Sequence, residues 1–190
     1  MLGQNFWQHW LEKRFQFQQK KRLTQKDVLV FIYQQGYLYL VLILITFVAG
    51  INYANNLILG FCFLISAILC ISFYLTFKQL HGLQLEVVAQ QVGQAGGNVQ
   101  LHLFFQQDTP QLRYLWIQVD QQLHKLALSE AKQQYSFAFY TAQRGKFHYP
   151  AIQLYSVYPF GLVRAWTYLY LNDFAWIAPK AAQHTTENKH

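Results

Sequence analysis

Carboxylates, histidines and cysteines are the side chains that most often carry catalysis or bind a metal, and this chain of 190 residues has few of them. A hydrolase of the two-carboxylate type needs two acidic side chains that converge across a cleft. Asp108 and Asp173 stand in turn-like sequences, and no spacing brings an acidic pair together. The histidines lack the spacing of metal ligands within one element. The sequence therefore predicts no catalytic residue, no metal site and no cofactor.

Nucleophile and phosphate-binding motifs are also missing from the sequence. It has no Gly-x-Ser-x-Gly elbow, and the glycines between Gly93 and Gly97 are not followed by the Lys-Ser/Thr of a phosphate-binding loop. Cys62 and Cys70 both lie in a long apolar stretch, where a cysteine acts as a small apolar side chain. We therefore expect that the protein is not an enzyme.

Two segments of the C-terminal half combine aromatic and basic residues with turn residues. One is Arg144 with the following glycine and lysine, and the other is Tyr158–Leu162, which precedes Arg164 and Trp166. A proline, an aromatic residue and a glycine in succession are typical of a tight corner whose apolar side chains fold back onto a core. The alternative is an exposed docking loop, since arginine and tryptophan are enriched in binding hot spots. The candidate interaction residues are Arg144, Phe160, Arg164 and Trp166.

The middle of the chain is apolar to a degree that water-soluble domains rarely reach. From Val28 to Phe77 there are 50 consecutive residues without Asp, Glu, Lys or Arg. We predict helices over 37–54 and 57–77, joined by a short polar turn of two asparagines. At 1.5 Å per residue they would be about 27 Å and about 31 Å long, close to the roughly 30 Å of a hydrocarbon core. We therefore expect a two-helix transmembrane hairpin over 36–78, in contact with the lipid bilayer.

Basic residues are concentrated before this apolar stretch, which six of the fifteen Lys and Arg residues precede. Five apolar side chains recur at helical spacing among them: Phe6, Trp7, Trp10, Leu11 and Phe15. This pattern is typical of a helix in the headgroup layer, so we predict an interfacial helix within 1–27, in a basic amphipathic juxtamembrane segment over 1–35. Because cytoplasmic flanks carry the basic excess, we place the N-terminus in the cytoplasm. No recognition helix accompanies the charge, so nucleic-acid binding is not predicted.

From residue 79 the pattern changes to the period-two alternation of β-strands. Val99, Leu101, Leu103 and Phe105 alternate with polar neighbours, and similar sets recur about every ten residues, separated by turn signals. About seven short strands predict an Ig-like, two-sheet β-sandwich over 79–180. Further details are a helical turn or loop over 126–133, a single strand set over 147–154 that slips at a proline, and a disordered tail over 181–190. Two crossings return this domain to the cytoplasm, and an external location is the alternative.

The ordered set of motifs resembles a bacterial family known as domain of unknown function 58. The matching segments are Gly50–Asn56, Arg144-Gly145, and Pro159–Leu162 followed by Arg164-Ala165-Trp166. In that family a two-helix membrane hairpin precedes a β-sandwich, and longer members continue into a von Willebrand factor A-like domain with a metal-binding Asp-x-Ser-x-Ser. This sequence has no such motif, and Ile177-Ala178-Pro179 stands where the family closes with Val-Tyr-Pro. The resemblance implies an accessory role in envelope assembly, with a MoxR-type AAA+ ATPase or a membrane transglutaminase-like protein as partner.

Three functional hypotheses follow from these observations. The favoured one is a non-catalytic scaffold or interaction protein of the inner membrane, whose β-domain docks a partner. The second is a membrane-tethered carbohydrate-binding or hydrolase domain that uses tyrosine and tryptophan side chains. The third is a truncated relative with little independent function. The sequence does not predict an oligomeric state.

Overall fold

The computed structural model describes residues 16–17, 20–120 and 122–179, and this part of the chain contains two helices and thirteen strands. The helices are α1 (Gln34–Asn52) and α2 (Asn56–Leu80). The strands are β1 (Gln16–Phe17), β2 (Lys20–Arg22), β3 (Leu29–Ile32), β4 (Gln84–Ala89), β5 (Val92–Gln94), β6 (Gly97–Gln106), β7 (Arg113–Val119), β8 (Gln122–Leu128), β9 (Lys132–Thr141), β10 (Gly145–His148), β11 (Ile152–Ser156), β12 (Val163–Leu171) and β13 (Phe174–Ala178).

The two helices occupy the uncharged stretch and run antiparallel. Between them Asn55 accepts the backbone N–H groups of Leu57 and Ile58 at 2.9 and 3.4 Å, which satisfies donors that a helix start leaves free. The helices approach closely at Gly50, where an added Cβ would lie 2.7 Å from a side-chain carbon of Leu59. Both helices are long and apolar enough to cross a membrane.

The strands of the described residues form three sheets. The six-stranded sheet has the order β1-β12-β11-β7-β8, with β3 also paired to β12; the four-stranded sheet is β2-β4-β6-β9; the three-stranded sheet is β10-β13-β5. The pairings are antiparallel except for β1 with β12 and β5 with β13. The prediction of a helix pair followed by a β-rich domain is thus confirmed.

One hydrophobic core lies between the six-stranded and four-stranded sheets. Leu101 and Leu103 of β6 face it from one side, and Ile117 of β7 and Leu154 of β11 from the other, all with no exposed surface. These are alternate residues of their strands, and the residues between them face outward because side chains alternate across a sheet. Each sheet therefore has a buried inner face and an outer face.

Residues 16–17, 20–22 and 29–32 of the N-terminal segment pair with strands of the β-domain, which the sequence did not predict. The interfacial helix predicted for residues 1–27 is wrong for 20–22, which form β2 and pair with β4. Residues 29–32 form β3 on the edge of β12, and Leu23 lies in the hydrophobic core. The aromatic stripe from Phe6 to Phe15 and the predicted tail over 181–190 lie outside the described residues.

Two details of the β-domain also differ from the prediction. The segment 126–133 is not a helical turn, and it is a loop only at 129–131, because β8 ends at Leu128 and β9 begins at Lys132. The set predicted over 147–154 divides into β10 and β11, which belong to different sheets. Pro150 lies between them, and a proline lacks the N–H that a continuous strand needs for its ladder.

The β-domain is joined to α2 through a buried arginine at the start of β7. The guanidinium of Arg113 donates to the carbonyls of Lys78, Gln79 and His81 at 3.1, 2.9 and 3.0 Å, and to Gln107 Oε1 at 2.9 Å. Carbonyls at a helix C-terminus lack partners within the helix and carry partial negative charge, which a cation stabilises. Arg113 therefore fixes the end of α2 against the six-stranded sheet.

Candidate docking face

The outer face of the six-stranded sheet is the most distinctive surface of the described residues. In β12, Val163, Ala165 and Leu169 are buried against the core, whereas Arg164 and Trp166 lie on the outer face and are partly exposed. The alternation is regular because the strand buries one face only, so every second side chain lies on the outer face.

Aromatic side chains from four strands cross this face. Register places Trp166 opposite Tyr155 of β11 and Tyr155 opposite Trp116 of β7. The rings of Trp116 and Tyr155 are nearly parallel, at 5° with centroids 6.0 Å apart, and Phe31 of β3 stacks on Trp166 at 5.3 Å. We call Phe31, Trp116, Tyr155, Arg164 and Trp166 the aromatic face.

Arg164 lies at the centre of the aromatic face. Its guanidinium carbon is 4.0 Å from the centroid of the Tyr155 ring and 5.6 Å from that of Trp166, a geometry in which the ring quadrupole attracts the cation. Its Nε is buried and has no hydrogen-bond partner in the described part of the chain. Among the ion pairs of those residues, none involves Arg164. Within the described part of the chain, the charge of Arg164 is therefore contacted by aromatic rings and by no carboxylate.

The charged side chains of the aromatic face and its edge are positive. Burial raises the pKa of Tyr155, and the charge of Arg164 acts in the opposite direction. Lys125 of β8 adds a second cation, with its Nζ 4.5 Å from the centroid of the Trp116 ring. The sequence contains no Asp or Glu from residue 131 to residue 172, a range that includes β11 and β12. The face therefore offers cations and rings to a binding partner, without acidic residues from β11 or β12.

The structure brings together two of the four candidate interaction residues. Arg164 and Trp166 are neighbours on the aromatic face. Phe160 lies in the corner before β12, next to the helices. Arg144 lies in the exposed turn before β10, which belongs to the three-stranded sheet. The four residues thus do not form one site.

Three members of the aromatic face escaped the sequence analysis. Phe31 lies in the uncharged stretch before the helix predicted over 37–54, and the structure places it in β3. Trp116 and Tyr155 occupy the polar-facing positions of alternating strands, between Leu115 and Ile117 and after Leu154. A large aromatic residue at an outward position of a strand was the available signal, and register was needed to show that these positions are adjacent.

The acidic residues occupy separate structural positions. Asp108 accepts hydrogen bonds from Arg22 at 2.5 Å and Gln84 at 3.0 Å, Asp120 lies in the turn after β7, and Glu130 in the turn after β8. Asp108 lies in the connection before β7, and Asp120 follows the other end of that strand. Within residues 16–17, 20–120 and 122–179, no group of three or more His, Cys, Asp or Glu side chains could hold a metal ion.

Comparison with protein-family models gives no match for this chain, and comparison with curated proteins gives none either. The resemblance to the family with domain of unknown function 58 therefore stays a prediction.

Proposed function

We propose that this protein is a membrane-anchored, non-enzymatic interaction protein whose β-domain docks a partner protein on the aromatic face. The observation that carries the proposal is Arg164, a cation held between tyrosine and tryptophan rings on a partly exposed sheet face without an ion-pair partner among the described residues. The proposal has two parts, the membrane anchor and the docking surface, and different features support each.

The exposure of the helices supports the anchor. In their most apolar windows, 11% of α1 and 17% of α2 is buried within the protein. Leu38 and Leu44, for example, are more than half exposed. A core helix of a soluble domain would bury such residues, whereas a bilayer solvates them without cost. Gly36 and Gly50 are the buried residues of α1, and both lie where another element approaches.

The chemistry of the aromatic face supports a protein partner. Tryptophan, tyrosine and arginine are enriched in the hot spots of protein interfaces. The two aromatic residues bury a large area with few rotatable bonds, and arginine adds a charged planar donor. The stacked rings of Trp116 and Tyr155 are already ordered in the unbound chain, which lowers the entropic cost of association. Since Arg164 and Lys125 are not neutralised by an ion pair in the described residues, an acidic segment of the partner is favoured.

The cellular location of the β-domain and the family resemblance complete the proposal. The six basic residues before α1 support a cytoplasmic β-domain on a bacterial inner membrane. The core shared by the six-stranded and four-stranded sheets supports an Ig-like sandwich. By resemblance to the family with domain of unknown function 58, the partner is a MoxR-type AAA+ ATPase or a membrane transglutaminase-like protein of envelope assembly.

Photocrosslinking tests the docking surface. A benzoylphenylalanine at Trp166 is expected to capture a defined protein in cells, and the same probe at Tyr140, on the outer face of the four-stranded sheet, serves as control. Tyr140 is 67% exposed and therefore at least as accessible. Arg164→Glu should abolish the adduct at position 166 if the partner is acidic. Equal adducts at 166 and 140, or none at 166, would contradict the proposal.

A second function is favoured by the near-parallel rings of Trp116 and Tyr155. A sugar ring can stack on such a surface, and the amide of Gln153, which donates to the Tyr168 hydroxyl at 3.0 Å, lies on the same face. Titration of the detergent-solubilised chain with glycan oligosaccharides tests this through tryptophan fluorescence. Saturable quenching that Trp116→Ala removes would favour carbohydrate binding over protein docking.

A further inference from the structure

The corner between β11 and β12 presents apolar rings away from the core. We use the term corner for residues Tyr158–Leu162. Phe160 is 50% exposed and Tyr158 is 44% exposed, although they lie between Ser156 and Val163, which have no exposed surface. The corner does not fold its aromatic side chains onto the core, so a structural role in the sandwich does not explain them.

The corner is fixed against the domain-proximal ends of both helices. The backbone N–H of Tyr33 donates to the Leu162 carbonyl at 2.8 Å, and an added Cβ on Gly36 would lie 2.1 Å from that oxygen. Thr76 of α2 donates to the Tyr158 carbonyl at 3.0 Å. Along the helix axes, the corner therefore lies at the same height as the first turn of α1 and the last two turns of α2.

Helix length places this level at the bilayer boundary. The 19 residues of α1 measure about 28 Å at 1.5 Å per residue, which is close to the roughly 30 Å of a hydrocarbon core. A helix that only just spans the core must begin at one boundary and end at the other. Gly36 in the first turn of α1 then lies at the boundary, and so does the corner that touches it.

The neighbouring exposed residues have the same character. Tyr37 of α1 and Tyr74 of α2 are 62% and 61% exposed at this end of the helices, and the Tyr158 ring contacts that of Tyr114 at 4.8 Å. Tyrosine and other aromatic residues prefer the membrane–water interface, where the ring is apolar and the hydroxyl is hydrated. No Asp or Glu occurs between residues 131 and 172 to oppose anionic headgroups.

From these observations we infer that the corner is a third bilayer contact, in which Phe160 and Tyr158 insert at the boundary between headgroups and acyl chains. The inference rests on the membrane anchor of the proposed function and not on its protein partner. With two helices and the corner as separate contacts, the β-domain cannot pivot about the helix ends. The aromatic face is then presented at a fixed angle to the membrane plane.

Depth measurement by spin labelling tests this inference on the full chain. With Cys62 and Cys70 replaced by alanine, single cysteines at Phe160, Leu44 and Gln118 are labelled with a nitroxide in vesicles of phosphatidylethanolamine and phosphatidylglycerol. Leu44 lies within α1, and Gln118 is exposed on the outer face of β7. Collision with oxygen and with a water-soluble nickel chelate is then compared among the three labels.

We expect the ratio of oxygen to nickel collisions to rank Leu44 above Phe160 and Phe160 several-fold above Gln118. A Phe160 ratio equal to that of Gln118, with Leu44 still deep, would overturn the inference while leaving the membrane anchor intact. A Leu44 label that collides mainly with the nickel chelate would overturn both. Because Phe160 is half exposed, its replacement should not disturb the core.

Discussion

Single residues at the junction between α2 and the β-domain have the strongest effects that the structure predicts. Arg113 serves four acceptors from one buried guanidinium, and burial lowers its pKa. Three of these acceptors are carbonyls at the end of α2, where a helix offers no backbone donor of its own. Nothing in the sequence singles out Arg113, since it looks like any other basic residue at the start of a strand.

Replacing Arg113 with methionine should destabilise the protein by about 3 kcal/mol, because it removes the buried, charged donor that these four acceptors share. The matched control is Arg144→Met in an exposed turn, which should change stability by less than about 0.5 kcal/mol. Thermal unfolding of both variants in detergent measures the difference. Equal midpoints for the two variants would show that Arg113 does not hold the end of α2.

Two glycines of the helices give a second comparison. Gly36→Ala places a methyl group against the Leu162 carbonyl and should cost about 2 kcal/mol through overpacking. Gly60 has no atom within 4 Å of its added Cβ, so Gly60→Ala should be neutral or slightly stabilising. Unfolding midpoints in detergent test this pair, and a harmless Gly36→Ala would contradict the contact between α1 and the corner.

The environment of Asp27 leads to a prediction of how the stability of the folded protein depends on pH. Burial opposes its ionisation, but hydrogen bonds from Lys21 and Thr24 outweigh burial, and the pKa of Asp27 falls below its ordinary value of 3.8. A carboxyl whose pKa is lower in the folded state adds stability above its unfolded pKa, and this is lost as pH falls through the folded value. Below about pH 4, the wild type should therefore lose more stability than Asp27→Asn.

The control for this prediction is Asp120→Asn, which changes an exposed carboxylate in the turn after β7. Unfolding midpoints measured between pH 7 and pH 2.5 should give a shallower acid limb for Asp27→Asn than for Asp120→Asn. Parallel curves for the two variants would mean that the ion pair of Asp27 with Lys21, at 2.6 Å, does not contribute to folding.

At the scale of elements, the sequence predicted best the helices and strands that a single local pattern determines. The two helices follow from 50 residues without a charge, and strands such as β6 and β7 follow from alternation. β2 and β3 were missed because they are short and lie in a segment whose basic and aromatic residues are typical of an interfacial helix. Their pairing with β4 and β12 depends on partners far along the chain, which no local pattern contains.

The inclusion of the N-terminal segment in the β-domain can be tested with two leucines. Leu23 is 1% exposed in the shared core and Leu123 is 50% exposed on β8. Leu23→Ala should cost about 3 kcal/mol through the cavity that it leaves, and Leu123→Ala less than about 1 kcal/mol. If residue 23 belonged to a free juxtamembrane segment, Leu23→Ala would leave the unfolding midpoint unchanged.

The candidate site shows the same limit of sequence reasoning. Arg164 and Trp166 were identified because they are two residues apart on one strand after a recognisable corner. Tyr155 and Trp116 complete the aromatic face only through the registers of β11 with β12 and with β7. Arg144 was grouped with them by residue type, and the topology places it on another sheet.

At the scale of the whole molecule, fixed contacts join the apolar helix pair to the β-domain. Arg113 connects the end of α2 to β7, and Thr76 and Gly36 connect the two helices to the corner before β12. If the helices cross a bilayer, these contacts set the orientation of the aromatic face, and the corner adds a further contact with lipid. The membrane anchor is therefore the claim on which the orientation of the aromatic face and the lipid contact of the corner both depend.

Alkaline carbonate extraction of membranes from cells that express the full chain tests this claim most directly. Carbonate at high pH removes peripheral proteins, whereas helices that span a bilayer stay because their apolar side chains and satisfied backbone favour lipid. We predict that the chain sediments with the membranes after ultracentrifugation and floats with lipid in a density gradient. Recovery of folded protein in the carbonate supernatant would contradict the account.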